Sequence, residues 1–111
     1  MYLDVKDYYC VFVDQITDHQ ALVALDIFGN MCDIDSLDIP VIVDAAQSLE
    51  SHNGQAWSAS RGLISCISFS PSKTISSWGS GGAILTNDDD IADACRKLRL
   101  HGKLQNDDDS I

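Results

Sequence analysis

The run PVIVDAA at residues 40–46 constrains the fold of this chain most. Five of the six residues after Pro40 are apolar, and the stretch is too short for a buried helix. A continuous apolar run of this length, opened by proline, suits a parallel strand covered on both faces. Three more stretches read the same way. Residues 21–27, ALVALDI, are bounded by Gly29 and Asn30; residues 63–69 end at Phe69; residues 82–86, GAILT, follow a glycine-rich turn. Residues 8–13 form a further β-type run.

One helix is clear. Asn87 and the acids Asp88, Asp89 and Asp90 cap a segment running to about Leu100, and Gly102 stops it. Ile91, Cys95 and Leu98 share one face. Acids fill the first turn, and Arg96, Lys97, Arg99 and His101 the last, as the helix dipole favours. Residues 31–38 allow one helical turn with Asp33 near its start, too short for a crossover helix. Residues 47–62, with Gly54, Ser58, Ser60 and Gly62, read as a loop. Four buried parallel-type strands with one helix make half of an α/β sheet. Such strands need helices on both faces, so the pattern predicts an incomplete single domain over residues 1–111.

Charge narrows the function. The net charge is -10, and no basic stretch could neutralise phosphates, which excludes a nucleic-acid or anionic-membrane surface. The acid runs 88–90 and 107–109 read as solvated caps or tails. Cys10, Cys32, Cys66 and Cys95 lack CxxC spacing and are expected as free thiols of a reducing compartment. His19, His52 and His101 do not pair with them at zinc spacing, so no metal site is expected. No apolar run approaches the length of a membrane span, and the N-terminus lacks a leader pattern. Together these predict a cytoplasmic protein.

Two residues invite chemistry. Lys73 stands alone in a loop of serines and a proline beyond one strand, and Asp44 ends another. A lysine so placed suits Schiff-base chemistry, because burial and neighbouring cations free the amine as a nucleophile. A solvated loop lysine and a strand-end aspartate capping the next segment are the plainer readings.

Residues 41–48 (VIVDAAQS), 68–73 (SFSPSK), 79–88 (GSGGAILTND) and 96–103 (RKLRLHGK), in that order, resemble the DegT-like (StrS-like) sugar aminotransferases. These are pyridoxal-phosphate enzymes of fold type I. Residues 21–35 resemble the strand and glycine turn that precede the aspartate there, so the likeness runs from about Ile16 onward. It implies that Asp44 pairs with the pyridine nitrogen and that Lys73 forms the Schiff base and shuttles the substrate proton. Gln47 would bind the phenolic oxygen, and Ser68 the phosphate. Residues 79–82 would either let backbone pass close to the site or simply make a tight turn. The implied substrates are a nucleotide-linked keto-sugar and a glutamate or glutamine donor, in a homodimer serving cell-surface polysaccharide or antibiotic-sugar synthesis. Relatives that became dehydratases typically replace the lysine; Lys73 is retained.

The chain departs from the family pattern. Ser70 and Ser72 stand where a histidine and a threonine or methionine are frequent, Trp78 lies in a turn one residue longer, and Ser80 replaces a frequent acid. These bear on the substrate rather than the cofactor. Family members are several times longer, and the phosphate-gripping loop, the ring-stacking aromatic and the small C-terminal domain have no counterpart in these residues. The expectation is an internal fragment of the large domain, with an inactive remnant or association module as the alternative. Ser70 to Lys73 is also formally an SxxK, as in serine acyl-enzymes, but that needs a helix start and companion motifs that are missing.

Overall fold

The computed structural model describes residues 21–100. Four strands, β1 (Leu22–Leu25), β2 (Val41–Asp44), β3 (Ile64–Ser68) and β4 (Gly82–Leu85), form one sheet in the order β1-β2-β3-β4, followed by helix α1 (Asp89–Arg99). Short 3-10 turns lie at Ile27–Gly29 and Ser58–Ser60. The β-type run at residues 8–13, Cys10, His19, His101, Gly102 and the acids at 107–109 lie outside the described residues.

β1, β2 and β3 run parallel, with Leu22 opposite Val41 and Asp44 opposite Cys66. Leu22, Ala24, Val41, Val43 and Ala45 face one way, onto Cys32, Ile34 and Ala59 from the connecting segments. Neither parallel connection contains an α-helix; the core is closed by irregular chain. Between β1 and β2, beyond the 3-10 turn at Ile27–Gly29, there is one further turn, in which Leu37 N–H donates to Ile34 O at 3.1 Å, in place of the helical turn expected near Asp33. The other side of the sheet is open. Val23 and Ile84 are 62% and 53% exposed, so the sheet is covered on one face only, not on both as the apolar runs suggest.

β4 corrects the expectation of four buried parallel strands. It pairs antiparallel with β3, Ser65 opposite Leu85, and is largely exposed. The reason is the connection. Phe69 N–H donates to Gly81 O at 2.8 Å and Ser77 N–H to Phe69 O at 2.7 Å, which closes residues 69–81 into a hairpin loop. A loop without a crossover can only return the chain antiparallel. Gly81 and Gly82 serve that closure. A Cβ on Gly82 would lie 2.8 Å from Ile67 O, and one on Gly81 would lie 2.7 Å from Ser77 Oγ.

Helix α1 begins as its sequence dictates. Asp88 accepts the Ile91 N–H at 3.0 Å, Asp89 and Asp90 fill the first turn, and Arg96, Lys97 and Arg99 the last. Ile91 and Cys95 are half-buried, while Leu98 is exposed.

Gly62 opens the approach to β3 with φ +69°, and a Cβ there would meet Val41 O at 2.7 Å. Both the left-handed backbone and the strand contact require glycine. Gly62→Ala is therefore expected to cost about 1–3 kcal/mol, read as a lower denaturation midpoint, whereas Gly54→Ala, with open space around it, should cost less.

Candidate active site

In a parallel sheet the crevice beyond the carboxyl ends of the strands is where ligands bind. Every residue singled out in the sequence stands at that edge. Asp44 is the last residue of β2, and Asp26, just past β1, donates its N–H to Asp44 O at 3.0 Å. Gln47 follows in the turn after β2. Ser68 ends β3, and Lys73 lies in the loop beyond it.

Strand geometry fixes which side each faces. Asp44 is opposite Cys66, and side chains alternate along a strand, so Asp44, Cys66 and Ser68 share the open face of the sheet. Cys66 reports this proximity: burial raises its thiol above the ordinary value, and the Asp44 carboxylate and Cys95 raise it further. Cys66 and Cys95 are free thiols.

A cavity of about 490 Å³ collects Gln47, Ser48, Glu50, Ser68, Ser72 and Lys73. Asp44 does not line it. A larger cavity, about 890 Å³, lies between β3, β4 and α1 and contains neither Asp44 nor Lys73. The structure thus brings three of the four candidate residues into one space, and sets the fourth at the tip of the adjoining strand.

The polar atoms of these residues are only partly engaged within the protein. Asp44 Oδ1 accepts the Ala46 N–H at 3.1 Å; Oδ2 is left as an acceptor. Gln47 Oε1 accepts the Phe28 N–H at 3.2 Å, which turns its amide NH₂ outward as a donor. Phe28 does this from a left-handed backbone, φ 55° and ψ 25°, and is itself exposed. Ser68 Oγ accepts the Ser70 N–H at 3.3 Å and keeps its own proton to give. Lys73 is half-buried, and the ion pairs among the described residues, Arg61 with Asp26 and Asp35 and Arg96 with Asp93, do not include it.

This donor set fits a phosphorylated pyridine aldehyde. A free carboxylate oxygen suits a protonated ring nitrogen, an amide NH₂ a phenolate, a hydroxyl a phosphate, and an unpaired amine an aldehyde. It does not fit a serine–lysine acyl-enzyme. Lys73 N–H donates to Ser70 O at 2.9 Å in a turn, and no helix carries the pair.

The profile of the DegT/DnrJ/EryC1/StrS aminotransferase family matches residues 1–111. The chain belongs to this family. It is 37% identical over 91 residues to the UDP-2-acetamido-2-deoxy-3-oxo-D-glucuronate aminotransferase of Pseudomonas aeruginosa, a match covering 76% of this chain and 25% of that protein. The fold superposes on a DegT DnrJ EryC1 StrS aminotransferase from Brucella abortus with a TM-score of 0.78 at 26% identity, over 99% of this chain and 35% of the other. It also superposes on E. coli GDP-4-keto-6-deoxy-D-mannose-3-dehydratase with bound hydrated PLP, TM-score 0.79 at 22% identity, over 90% of this chain and 29% of that one. This family member spans about a quarter of the length of the curated relatives it matches.

Sequence reasoning missed a buried polar group beneath the site: Asp26, Ser48, Ser58, Arg61 and Ser65. One signal was available. The apolar run ALVAL ends in Asp26 just as VIV ends in Asp44, so both strands deliver a carboxylate to the same edge.

Proposed function

We propose that this chain carries the cofactor-binding centre of a pyridoxal-phosphate-dependent aminotransferase that moves an amino group from glutamate or glutamine to a keto group on a nucleotide-linked sugar. The observation that carries the reading is the convergence of Gln47, Ser68 and the unpaired Lys73 on one cavity beside the Asp44 strand end. The P. aeruginosa relative, named for transamination of a nucleotide-linked oxo-sugar, supports the substrate class.

When bound, pyridoxal phosphate supplies an electron-accepting ring for the substrate's carbanion. Asp44 Oδ2 would accept the ring N–H and so favour the protonated nitrogen. The Gln47 amide, held by the Phe28 N–H, would donate to the phenolic oxygen. Ser68 would donate to the phosphate. Lys73 supplies the nucleophilic amine and then moves a proton at the substrate carbon.

The test is covalent. After incubation with pyridoxal phosphate and borohydride reduction, digestion should yield one pyridoxyl-bearing peptide, at Lys73. No adduct, or equal labelling of Lys97, removes the reading. A second reading, a non-catalytic association module, is favoured by the exposed sheet side chains Val23 and Ile84, and it predicts no selective labelling.

A further inference from the structure

Beneath the candidate site a line of buried hydroxyls joins β1 to the turn that carries Gln47. Asp26 is 1% exposed; its Oδ1 accepts the Cys32 N–H at 2.8 Å and its Oδ2 the Ser58 hydroxyl at 2.6 Å. Ser58 Oγ lies 2.7 Å from Ser48 Oγ, and Arg61 Nη1 stands 3.7 Å from Asp26 Oδ2 as its countercharge. Ser58 is 0% and Ser48 3% exposed, so water does not compete for these bonds.

Proton counting gives the line a direction. A carboxylate only accepts, so Ser58 spends its single proton on Asp26. The 2.7 Å bond must then be donated by Ser48. The order is Ser48 to Ser58 to Asp26, each bond polarising the next. Ser48 has no second proton, so it can offer the cavity it lines only acceptor lone pairs.

We propose that Ser58 and Ser48 are positioning residues for the cofactor-contacting turn. Ser48 N–H donates to Ala45 O at 3.1 Å, which closes the turn directly after Asp44. Ala46 N–H, inside that turn, is the donor that holds Asp44 Oδ1, and Gln47 precedes Ser48. Pulling the Ser48 side chain inward onto Ser58 therefore sets the placement of both the Asp44 carboxylate and the Gln47 amide. Ser58 is anchored independently, its N–H donating to Ser51 O at 2.9 Å and its carbonyl accepting the Arg61 backbone N–H at 3.3 Å. The part of this inference that concerns the cofactor rests on the proposed function; the part that concerns the turn does not.

Amide hydrogen exchange on the full chain separates the two. Ser48→Ala removes only the outer hydroxyl and leaves the Ser58–Asp26 bond; Ser58→Ala breaks both bonds. In Ser48→Ala the amides of Ala46 and Ser48 should exchange about three- to tenfold faster, the worth of one buried hydrogen bond, with β2 and β3 amides unchanged. Ser48→Thr, which keeps the hydroxyl, should restore wild-type exchange. Ser58→Ala should do at least as much as Ser48→Ala; if it unfolds, Ser48→Ala decides. Unchanged Ala46 and Ser48 exchange in Ser48→Ala overturns the proposal, as does acceleration spread evenly through the strands, which a merely structural role would give. Borohydride capture of pyridoxal phosphate on Lys73 is read in parallel and should fall severalfold in Ser48→Ala. If the wild-type chain captures none while the exchange pattern appears, the proposed function fails and the positioning role stands. If capture occurs at Lys73 but exchange is flat, the reverse holds.

Discussion

Replacing Lys73 with alanine should, on the proposed function, abolish covalent capture of pyridoxal phosphate and cut transamination by at least about a thousandfold. Acid–base catalysis by one positioned group contributes about 10²–10⁴-fold, and Lys73 is assigned both that role and the nucleophile's. Its loop is tied by backbone bonds from Lys73 N–H to Ser70 O and from Ser77 N–H to Phe69 O, which alanine keeps. The denaturation midpoint should therefore barely move. Lys73→Arg is the informative control. Arginine preserves the positive charge but stays protonated and cannot attack a carbonyl carbon. It should be as inactive as alanine. If arginine rescued cofactor capture or turnover, the role of residue 73 would be electrostatic and the nucleophile would lie elsewhere.

Removing the Arg61 side chain should cost more stability than placing a methyl group on Gly62 or truncating Lys73. Its side chain is 4% exposed, against 1% for Asp26. Its Nη2 donates to Cys32 O, and Asp35 Oδ1 lies 3.8 Å from its Nε. Arg61→Ala strands the buried Asp26 carboxylate without countercharge, an effect of about 3–5 kcal/mol for such pairs. Denaturant midpoints at neutral pH check this. In Arg61→Met with Asp26→Leu no buried charge is stranded, so part of that stability should return. Recovery stays incomplete because the Cys32 N–H and the Ser58 hydroxyl lose their shared acceptor. A cost for Arg61→Ala no larger than that of an exposed pair such as Arg96–Asp93, about 0–1 kcal/mol, would show that water reaches the cluster.

The sequence was legible where the governing physics is local. The apolar runs became β1 to β4 within a residue or two of their expected ends, because a short bounded run has few other ways to bury itself. The helix start was legible because Asp88 and the donor it satisfies, Ile91, are three residues apart. The candidate site was legible because its residues sit at strand ends within recognisable segments, and the strand order then brings them to one edge. β4 was misjudged because GAILT is apolar either way round. Only the hairpin closure at Phe69 and Gly81 shows that the chain returns without a crossover.

The polar cluster was invisible for a different reason. Asp26, Ser48, Ser58 and Arg61 each belong to a residue type usually found on the surface, and residues 47–62 read as an ordinary polar loop. The bond from Ser58 to Asp26 spans 32 residues of chain. The sequence alone determined the strands, the helix cap, the strand-end carboxylate and the lysine beyond it, since each depends on neighbours within a few positions. The tertiary structure alone decided the direction of β4, the face that Asp44 shares with Ser68, and the burial of a charged pair. Those depend on which distant segments meet, and a hydroxyl or carboxylate becomes an interior group only when folding brings its partners to it.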